Sequence, residues 1–269
     1  MGIVLFKHQR GINKKHNGCG NVAFPQFYLN GMRRLLVIFV TSDLHGYPLA
    51  DFKKLLKRAD FTDHDFLFVL GDVIDRGENG AELLLWMTEQ TNVELILGNH
   101  EAMLLACEFL FEDVTDESLS RLNMEQIGVY QNWIANGGGP TVAGLRRILS
   151  QDKDVLWGIF DYLKESPFYD TVRVNEQNYI LVHSGISNFS PSKPLEAYSP
   201  DDFLWNRPDL NTYYYDNTTV VFGHTPTDYF GKEHFGKVVH TESWICIDTG
   251  AAHGGKPMIL CLDDLRETY

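Results

Sequence analysis

The sequence predicts an α/β fold, and three observations carry that reading. From Leu35 onward short apolar runs alternate with amphipathic stretches, the first three runs are spaced by roughly one helix each, and every run ends in a cluster of Gly, Asp, Asn or His. The first run, Leu35-Leu36-Val37-Ile38-Phe39-Val40, predicts a buried strand over 35–41. Amphipathic spacing predicts a helix over 48–58, then a strand over 66–70, a helix over 80–91 and a strand over 93–97. After Asn99, a helical period through Leu104, Leu105 and Phe109 leads into an acidic stretch, 112–166, with no strand-like run. That stretch is expected to be a helical cap inserted into the core. Strand-like runs return at 168–174, 179–183, 219–223, 235–240, 244–247 and 257–262, so the second half is expected to be mostly β.

The chain has 269 residues, 44% of them hydrophobic and 13% aromatic, enough to bury a substantial core and too apolar for a disordered segment. Lys and Arg number 23 against 36 Asp and Glu, a formal charge of 23 − 36 = −13. An acidic balance of that size argues against nucleic-acid and membrane partners, which both need a basic footprint. Cys19, Cys107, Cys246 and Cys261 form no Cys-x-x-Cys pair, which fits a reducing cytoplasm better than a disulfide scaffold or a zinc ribbon. No apolar run approaches the roughly 18 residues of a membrane span. Residues 1–31 are basic and irregular, and are expected to be peripheral to a domain formed by 32–269.

Open α/β sheets place their ligands at strand ends, and that is where the polar clusters fall. In order they are Ser42-Asp43-Leu44-His45-Gly46, Gly71-Asp72-Val73-Ile74-Asp75-Arg76-Gly77, Gly98-Asn99-His100-Glu101, His183-Ser184-Gly185 and Gly223-His224-Thr225-Pro226. Asp-x-His alone is noise, with about 0.8 chance occurrences in a chain of this composition. The same arithmetic gives about 0.003 for Gly-Asn-His-Glu and about 0.0005 for Gly-Asp-x-x-Asp-Arg-Gly, so their ordered co-occurrence is informative. Singly, Asp72, Asp75 and Asn99 have ordinary uses as turn or cap residues. Turn chemistry does not call for three histidines at strand ends as well.

The chemical reading is a centre for two divalent ions. Side chains at i and i+2 of a strand point to one side, so Asp43 and His45 are expected to ligate one ion together. Asp72 has two oxygens and is expected to bridge two ions about 3.5 to 4 Å apart, with Asn99, His183 and His224 completing the ligand set of the second ion. Oxygen and imidazole donors without thiolate suit Mn, Fe or Zn. A bridging water with its pKa lowered from 15.7 to about 7 would supply a hydroxide for direct attack on phosphorus. Arg76 is expected to clamp phosphate oxygens, with Arg207 in Leu204-Trp205-Asn206-Arg207 as a second clamp. His100 is the expected proton donor to the leaving alkoxide, oriented by Asp75.

These clusters resemble those of the calcineurin-like metallophosphoesterases, and Gly-Asp-Val-Ile-Asp-Arg-Gly with Gly-Asn-His-Glu narrows the resemblance to the phosphoprotein phosphatase (PPP) family. Trp133 with Asn136-Gly137-Gly138, Leu204-Trp205-Asn206-Arg207 and Ile247-Asp248-Thr249-Gly250-Ala251 resemble its bacterial and phage-type serine/threonine protein phosphatases. The resemblance runs from about Leu35 to Asp263. It implies a β-sandwich flanked by helices, a dinuclear site usually active with Mn, and hydrolysis of phosphomonoesters, often phosphoserine and phosphothreonine. It also implies the ligand and catalytic roles given above for Asp43, His45, Asp72, Asn99, His183, His224, His100, Asp75 and Arg76. One departure stands out: many protein phosphatases of this family carry Arg immediately before Gly-Asn-His-Glu, where this chain has Leu97. Symmetrical diadenosine tetraphosphate hydrolases of the same family can also lack that Arg. The expected substrate is therefore a phosphoprotein or phosphopeptide, with a dinucleoside polyphosphate or other nucleotide as the alternative and a catalytically dead scaffold as the remote one. His253, in Ala251-Ala252-His253-Gly254-Gly255, has no role assigned by sequence.

Overall fold

The computed structural model describes residues 36–116, 120 and 123–269, together with the backbone of short strands at 4–6, 28–29 and 32–33. Apart from those strand backbones, the expected peripheral segment 1–31 lies outside the described residues, as does Glu117 at the end of the acidic run from Glu112. In chain order the strands are β1 (Val4–Phe6), β2 (Tyr28–Leu29), β3 (Met32–Arg33), β4 (Ile38–Thr41), β5 (Phe66–Val69), β6 (Val93–Leu95), β7 (Tyr169–Val174), β8 (Gln177–Val182), β9 (Thr218–Phe222), β10 (Val239–His240), β11 (Trp244–Cys246), β12 (Ile259–Cys261) and β13 (Glu267–Thr268). The α-helices are α1 (Leu49–Arg58), α2 (Gly80–Thr88), α3 (Asn99–Ala106), α4 (Met124–Ala135), α5 (Gly139–Gln151), α6 (Lys153–Glu165) and α7 (Pro200–Leu204).

Two mixed sheets form the sandwich, one ordered β1-β7-β8-β9-β11-β10 and the other β13-β12-β4-β5-β6. Strands β4, β5 and β6 are parallel neighbours, as are β8, β9 and β11, so both sheets send loops in one direction from their parallel cores. The alternation of side chains along each strand decides which layer a residue joins. Ile38, Val40 and Phe68 turn inward to meet Val172, Leu181, Val221 and Ile245 of the other sheet, and this layer closes the sandwich. Phe39, Leu67 and Val69 turn outward and are covered by Leu55 of α1, Leu83 and Leu84 of α2 and Leu104 of α3. The opposite outer face, with Val182, Val220 and Phe222, packs against Ile186, Phe203 and Tyr214 from the chain between β8 and β9.

Within 112–166, α4, α5 and α6 are stacked on α2 and α3. Trp133, Leu145, Leu156, Phe160 and Leu163 are buried in the same hydrophobic cluster as Phe39 and Leu67, so these helices share the core of the fold. Their starts are legible: Asn123 forms a capping box with Gln126, and the Asp152 carboxylate accepts the backbone N–H of Asp154 and Val155. The expected strand at 235–240 shrinks to Val239–His240. Gly236 sits at φ 71°, outside the extended region, and Lys232–His234 forms a 3-10 turn in front of it. No helix among the described residues is long and apolar enough to cross a membrane.

Candidate metal centre

The loops that leave β4 and β5 are laced together by the continuation of their parallel pairing. Asp43 N–H donates to the Gly71 carbonyl at 3.0 Å, His45 N–H to Asp72 at 2.8 Å and Gly46 N–H to Val73 at 2.8 Å. Strand β4 ends at Thr41, so Asp43 and His45 lie beyond it. They reach the same pocket through left-handed backbone, φ 51° and 43°, in place of the strand alternation expected from sequence. Of the eleven non-glycine residues with positive φ among the described residues, six are Asp43, His45, Asp72, Asp75, Arg76 and His224. That conformation costs an L-residue about 1–2 kcal/mol, and it persists only where the surroundings impose it.

Glu101 is a main source of that imposition. Its fully buried carboxylate accepts the N–H of Asp72 and Val73, each at 2.8 Å, and of Gly98 at 3.1 Å. Burial, reinforced by the Asp72 charge, pushes its pKa up to about 7 against those three donors. Gly98 and Gly223 permit the close approach of backbone to ligand: a Cβ on Gly98 would overlap Asp72 Oδ1, and one on Gly223 would overlap Asp43 Oδ2.

The loops enclose a cavity of about 170 Å³ lined by Asp43, His45, Asp72, Asn99, His100 and His224, with Arg76 and Arg207 toward solvent. His183 is completely buried beneath it. Its Nε2 lies 2.8 Å from Asn99 Oδ1, 3.2 Å from His224 Nδ1 and 3.4 Å from Asp72 Oδ1. His183 Nδ1 is 2.8 Å from the Leu70 carbonyl, which takes its proton and leaves Nε2 with a lone pair. His45 repeats the arrangement, with Nδ1 3.0 Å from the Ile74 carbonyl and Nε2 3.6 Å from Asp72 Oδ2 and 4.0 Å from Asp43 Oδ1. Burial keeps the His45 and His224 imidazoles neutral, lowering His45 to about 3 and His224 to about 2.

Lone pairs therefore converge at two adjoining points. Ligand atoms of His45, Asp72 and His100 lie within 4.8 Å of one another, as do those of Asp72, His183 and His224, and Asp72 belongs to both groups. The donors are imidazole nitrogens and carboxylate or amide oxygens, the set a divalent transition ion takes. Carboxylate crowding supports the same fit: burial, Asp248 and Asp72 together raise the Asp43 pKa well above the ordinary carboxylate value, a penalty that bound cations relieve.

Beside this cluster, His100 Nδ1 is 2.6 Å from Asp75 Oδ2. Asp75 is in turn held by Trp133 Nε1–H at 2.8 Å and the Thr141 hydroxyl at 2.6 Å. Burial opposes charge on His100, but Asp72 and the bonded Asp75 outweigh it and raise its pKa. The Gly137 carbonyl accepts Arg76 N–H at 2.9 Å, so the glycine-rich turn at 137–139 serves as a brace for the arginine loop. Arg207 follows Asn206, whose N–H donates to Ser184 Oγ at 3.0 Å and so ties the Trp205–Arg207 segment to the end of β8.

Every sequence-identified residue thus comes to one place. Leu97 is buried and its N–H donates to the Pro167 carbonyl, so it takes no part in the pocket. Sequence reasoning missed three residues. Glu101 closes the Gly-Asn-His-Glu motif, and its grip on the Asp72 loop is not visible in those letters. Asp248, from Ile247-Asp248-Thr249-Gly250, lines the cavity with its pKa pushed up to about 7 by burial. Thr141 had no motif to mark it.

A two-sheet sandwich whose strand-end loops gather imidazoles and carboxylates around one cavity defines the class of metal-dependent phosphoesterases. Residues 36–251 match the family model of the calcineurin-like phosphoesterases, and the chain belongs to that family. It is 30% identical over 152 residues to the symmetrical bis(5'-nucleosyl)-tetraphosphatase of Actinobacillus succinogenes, covering 55% of this chain and 44% of the relative. Against the first curated relatives, all of that name, the chain spans 37%, 44% and 26% of their length. It is 25% identical over 224 residues to the serine/threonine-protein phosphatase 1 of Salmonella typhimurium, covering 81% of this chain and 88% of that protein. The solved structure of a protein serine/threonine phosphatase from Saccharomyces cerevisiae superposes with a TM-score of 0.52 at 14% identity, over 84% of this chain and 73% of the other. The last of these speaks for the fold alone.

Proposed function

We propose that the protein is a metal-dependent phosphomonoesterase acting on phosphoserine or phosphothreonine in proteins. The observation that carries this reading is the buried chain Trp133–Asp75–His100 aimed at a pocket that also holds Arg76. A serine or threonine alkoxide is a poor leaving group and needs a proton, which a His held by a carboxylate is built to give. Asp43, His45 and Asp72 would hold one ion, and Asp72, Asn99, His183 and His224 the other, with Mn the expected metal and Fe or Zn the alternatives. When bound, the pair supplies Lewis acidity and an acidified water. The protein's own groups do the rest. Arg76 and Arg207 bind and orient phosphate oxygens at the mouth. Asp75 fixes the imidazole so that Nε2 faces the departing oxygen. The near full-length similarity to a serine/threonine phosphatase supports this substrate class.

Cleavage of dinucleoside polyphosphates is the second reading, favoured by the tetraphosphatase relatives and by Leu97. Product analysis separates the two. The Mn-loaded protein is offered a panel of phosphoserine and phosphothreonine peptides beside diadenosine tetraphosphate. Inorganic phosphate from the peptides is the expected result, and nucleotide products without peptide dephosphorylation would overturn it.

The same proposal takes 32–269 as the phosphoesterase domain, with 112–166 as its helical insertion and 1–31 peripheral, lending the sandwich no more than the edge strand β1. A chain begun at Met32 is expected to fold and keep its activity, and loss of either refutes that boundary. A cytoplasmic setting is in keeping with Cys107, Cys246 and Cys261, all buried and free.

A further inference from the structure

The Arg76 guanidinium is bracketed by two imidazoles. Its NH2 lies 3.4 Å from His100 Nε2 and its NH1 lies 3.3 Å from His253 Nε2. An arginine only donates, so each imidazole nitrogen facing it must accept. The two acceptors are not equivalent. His100 Nε2 is the atom that carries the proton to the leaving group, so it cannot accept from Arg76 while it does so. His253 has no such duty.

The backbone that presents His253 is fixed independently of Arg76. Asp248 Oδ1 accepts Gly250 N–H at 3.0 Å, the Gly250 carbonyl accepts the N–H of both His253 and Gly255 at 2.8 Å, and the Thr249 hydroxyl donates to the Lys256 carbonyl at 2.6 Å. This closed turn follows β11 and places His253 on the cavity wall, although the residue itself is exposed. Arg76, also exposed, is a long side chain with many rotamers, and each bond that restricts it lowers the entropy lost when it binds a phosphate oxygen.

We propose that His253 is a positioning residue for phosphate binding: its Nε2 accepts from Arg76 and holds the guanidinium in the orientation that clamps the substrate phosphate. This rests on the phosphoesterase reading of the site. It predicts an effect on binding more than on turnover, transmitted through Arg76 alone.

The test uses the full-length, Mn-loaded protein. His253→Leu, which keeps bulk but offers no acceptor, is expected to raise the KM for a phosphoserine peptide about tenfold while kcat stays within about twofold. His253→Gln, which restores an acceptor oxygen, is expected to return KM to within about threefold of the parent. In an Arg76→Leu background the further change His253→Leu is expected to shift KM less than about twofold, because the interaction is already gone. Calorimetric titration with inorganic phosphate gives the same comparison without turnover, with about tenfold weaker binding expected for His253→Leu. An unchanged KM and phosphate affinity in His253→Leu, failure of His253→Gln to rescue, or an undiminished effect in the Arg76→Leu background would each overturn the inference. A parent protein that hydrolyses no phosphate ester but binds inorganic phosphate in a His253-dependent manner would count against the functional reading and leave the inference standing.

Discussion

Asp72→Asn is expected to release both metal ions and lower phosphatase activity at least about a hundredfold, the loss that even outer-shell changes at metal sites can reach. Two features make the loss joint. Asp72 Oδ1 sits 3.4 Å from His183 Nε2 while Oδ2 sits 3.6 Å from His45 Nε2, so one carboxylate serves both ligand groups. An amide puts NH2 where one of those oxygens was and turns a donor hydrogen toward a lone pair. The substitution is close to isosteric, and Oδ1 of an asparagine can still accept His100 N–H, which lies 3.1 Å from Asp72 Oδ1. The fold should therefore survive, and the metal-free variant should melt near the metal-free parent. Metal analysis after gel filtration and thermal unfolding with and without Mn check both parts. Two tightly retained ions in Asp72→Asn would contradict the shared carboxylate.

Much of this centre is legible in the sequence because loops at strand ends have one chemical job and the strands one hydrophobic job. Asp43, His45, Asp72, Asn99, His183 and His224 each follow an apolar run; parallel pairing gathers the ends of β4, β5 and β6 in one sheet and of β8 and β9 in the other, and the packing of the two sheets brings both groups to one place. What the sequence does not display is how each side chain is aimed. The i and i+2 spacing predicts Asp43 and His45 on one side of a strand; the two do line one cavity, but from beyond the strand and through left-handed backbone. Nothing in the letters Asp-Leu-His signals that conformation. It follows from Glu101 gripping the neighbouring loop and from the interloop bonds, which are tertiary facts.

The helices of 112–166 show a second limit. Their periodicity was readable, but the partner of an amphipathic face is not written in the face itself. Trp133 places its ring in the core and donates its Nε1–H to Asp75, so one residue of the cap both packs the fold and supports the proposed acid. Asp248 and Thr141 escaped for a related reason. Each acts within a site assembled from residues a hundred or more positions away or from a different element, and neither lies in a cluster dense enough to stand out.

His100→Asn is the sharpest probe of that acid, because its effect should depend on the leaving group. Asparagine keeps a polar side chain near Asp75 but has no proton of useful acidity to give. On a phosphoserine peptide the departing alkoxide is strongly basic, and removal of a general acid is expected to slow kcat by about 10² to 10⁴. On para-nitrophenyl phosphate the phenolate leaves without protonation, so the loss is expected to stay below about tenfold. The residue's surroundings support this division of labour: Asp75 Oδ2 lies 2.6 Å from Nδ1, so the proton available for transfer is the one on Nε2, on the side facing Asp72 and Arg76. Trp133→Phe, which keeps an aromatic ring in the core but removes the 2.8 Å bond to Asp75 and leaves a small cavity, should reproduce the same leaving-group dependence in weaker form, the cavity acting on both substrates alike. Equal losses on both substrates would instead assign His100 to ion binding, a role its place beside His45 and Asp72 also permits, and would move the proton donor elsewhere in the pocket.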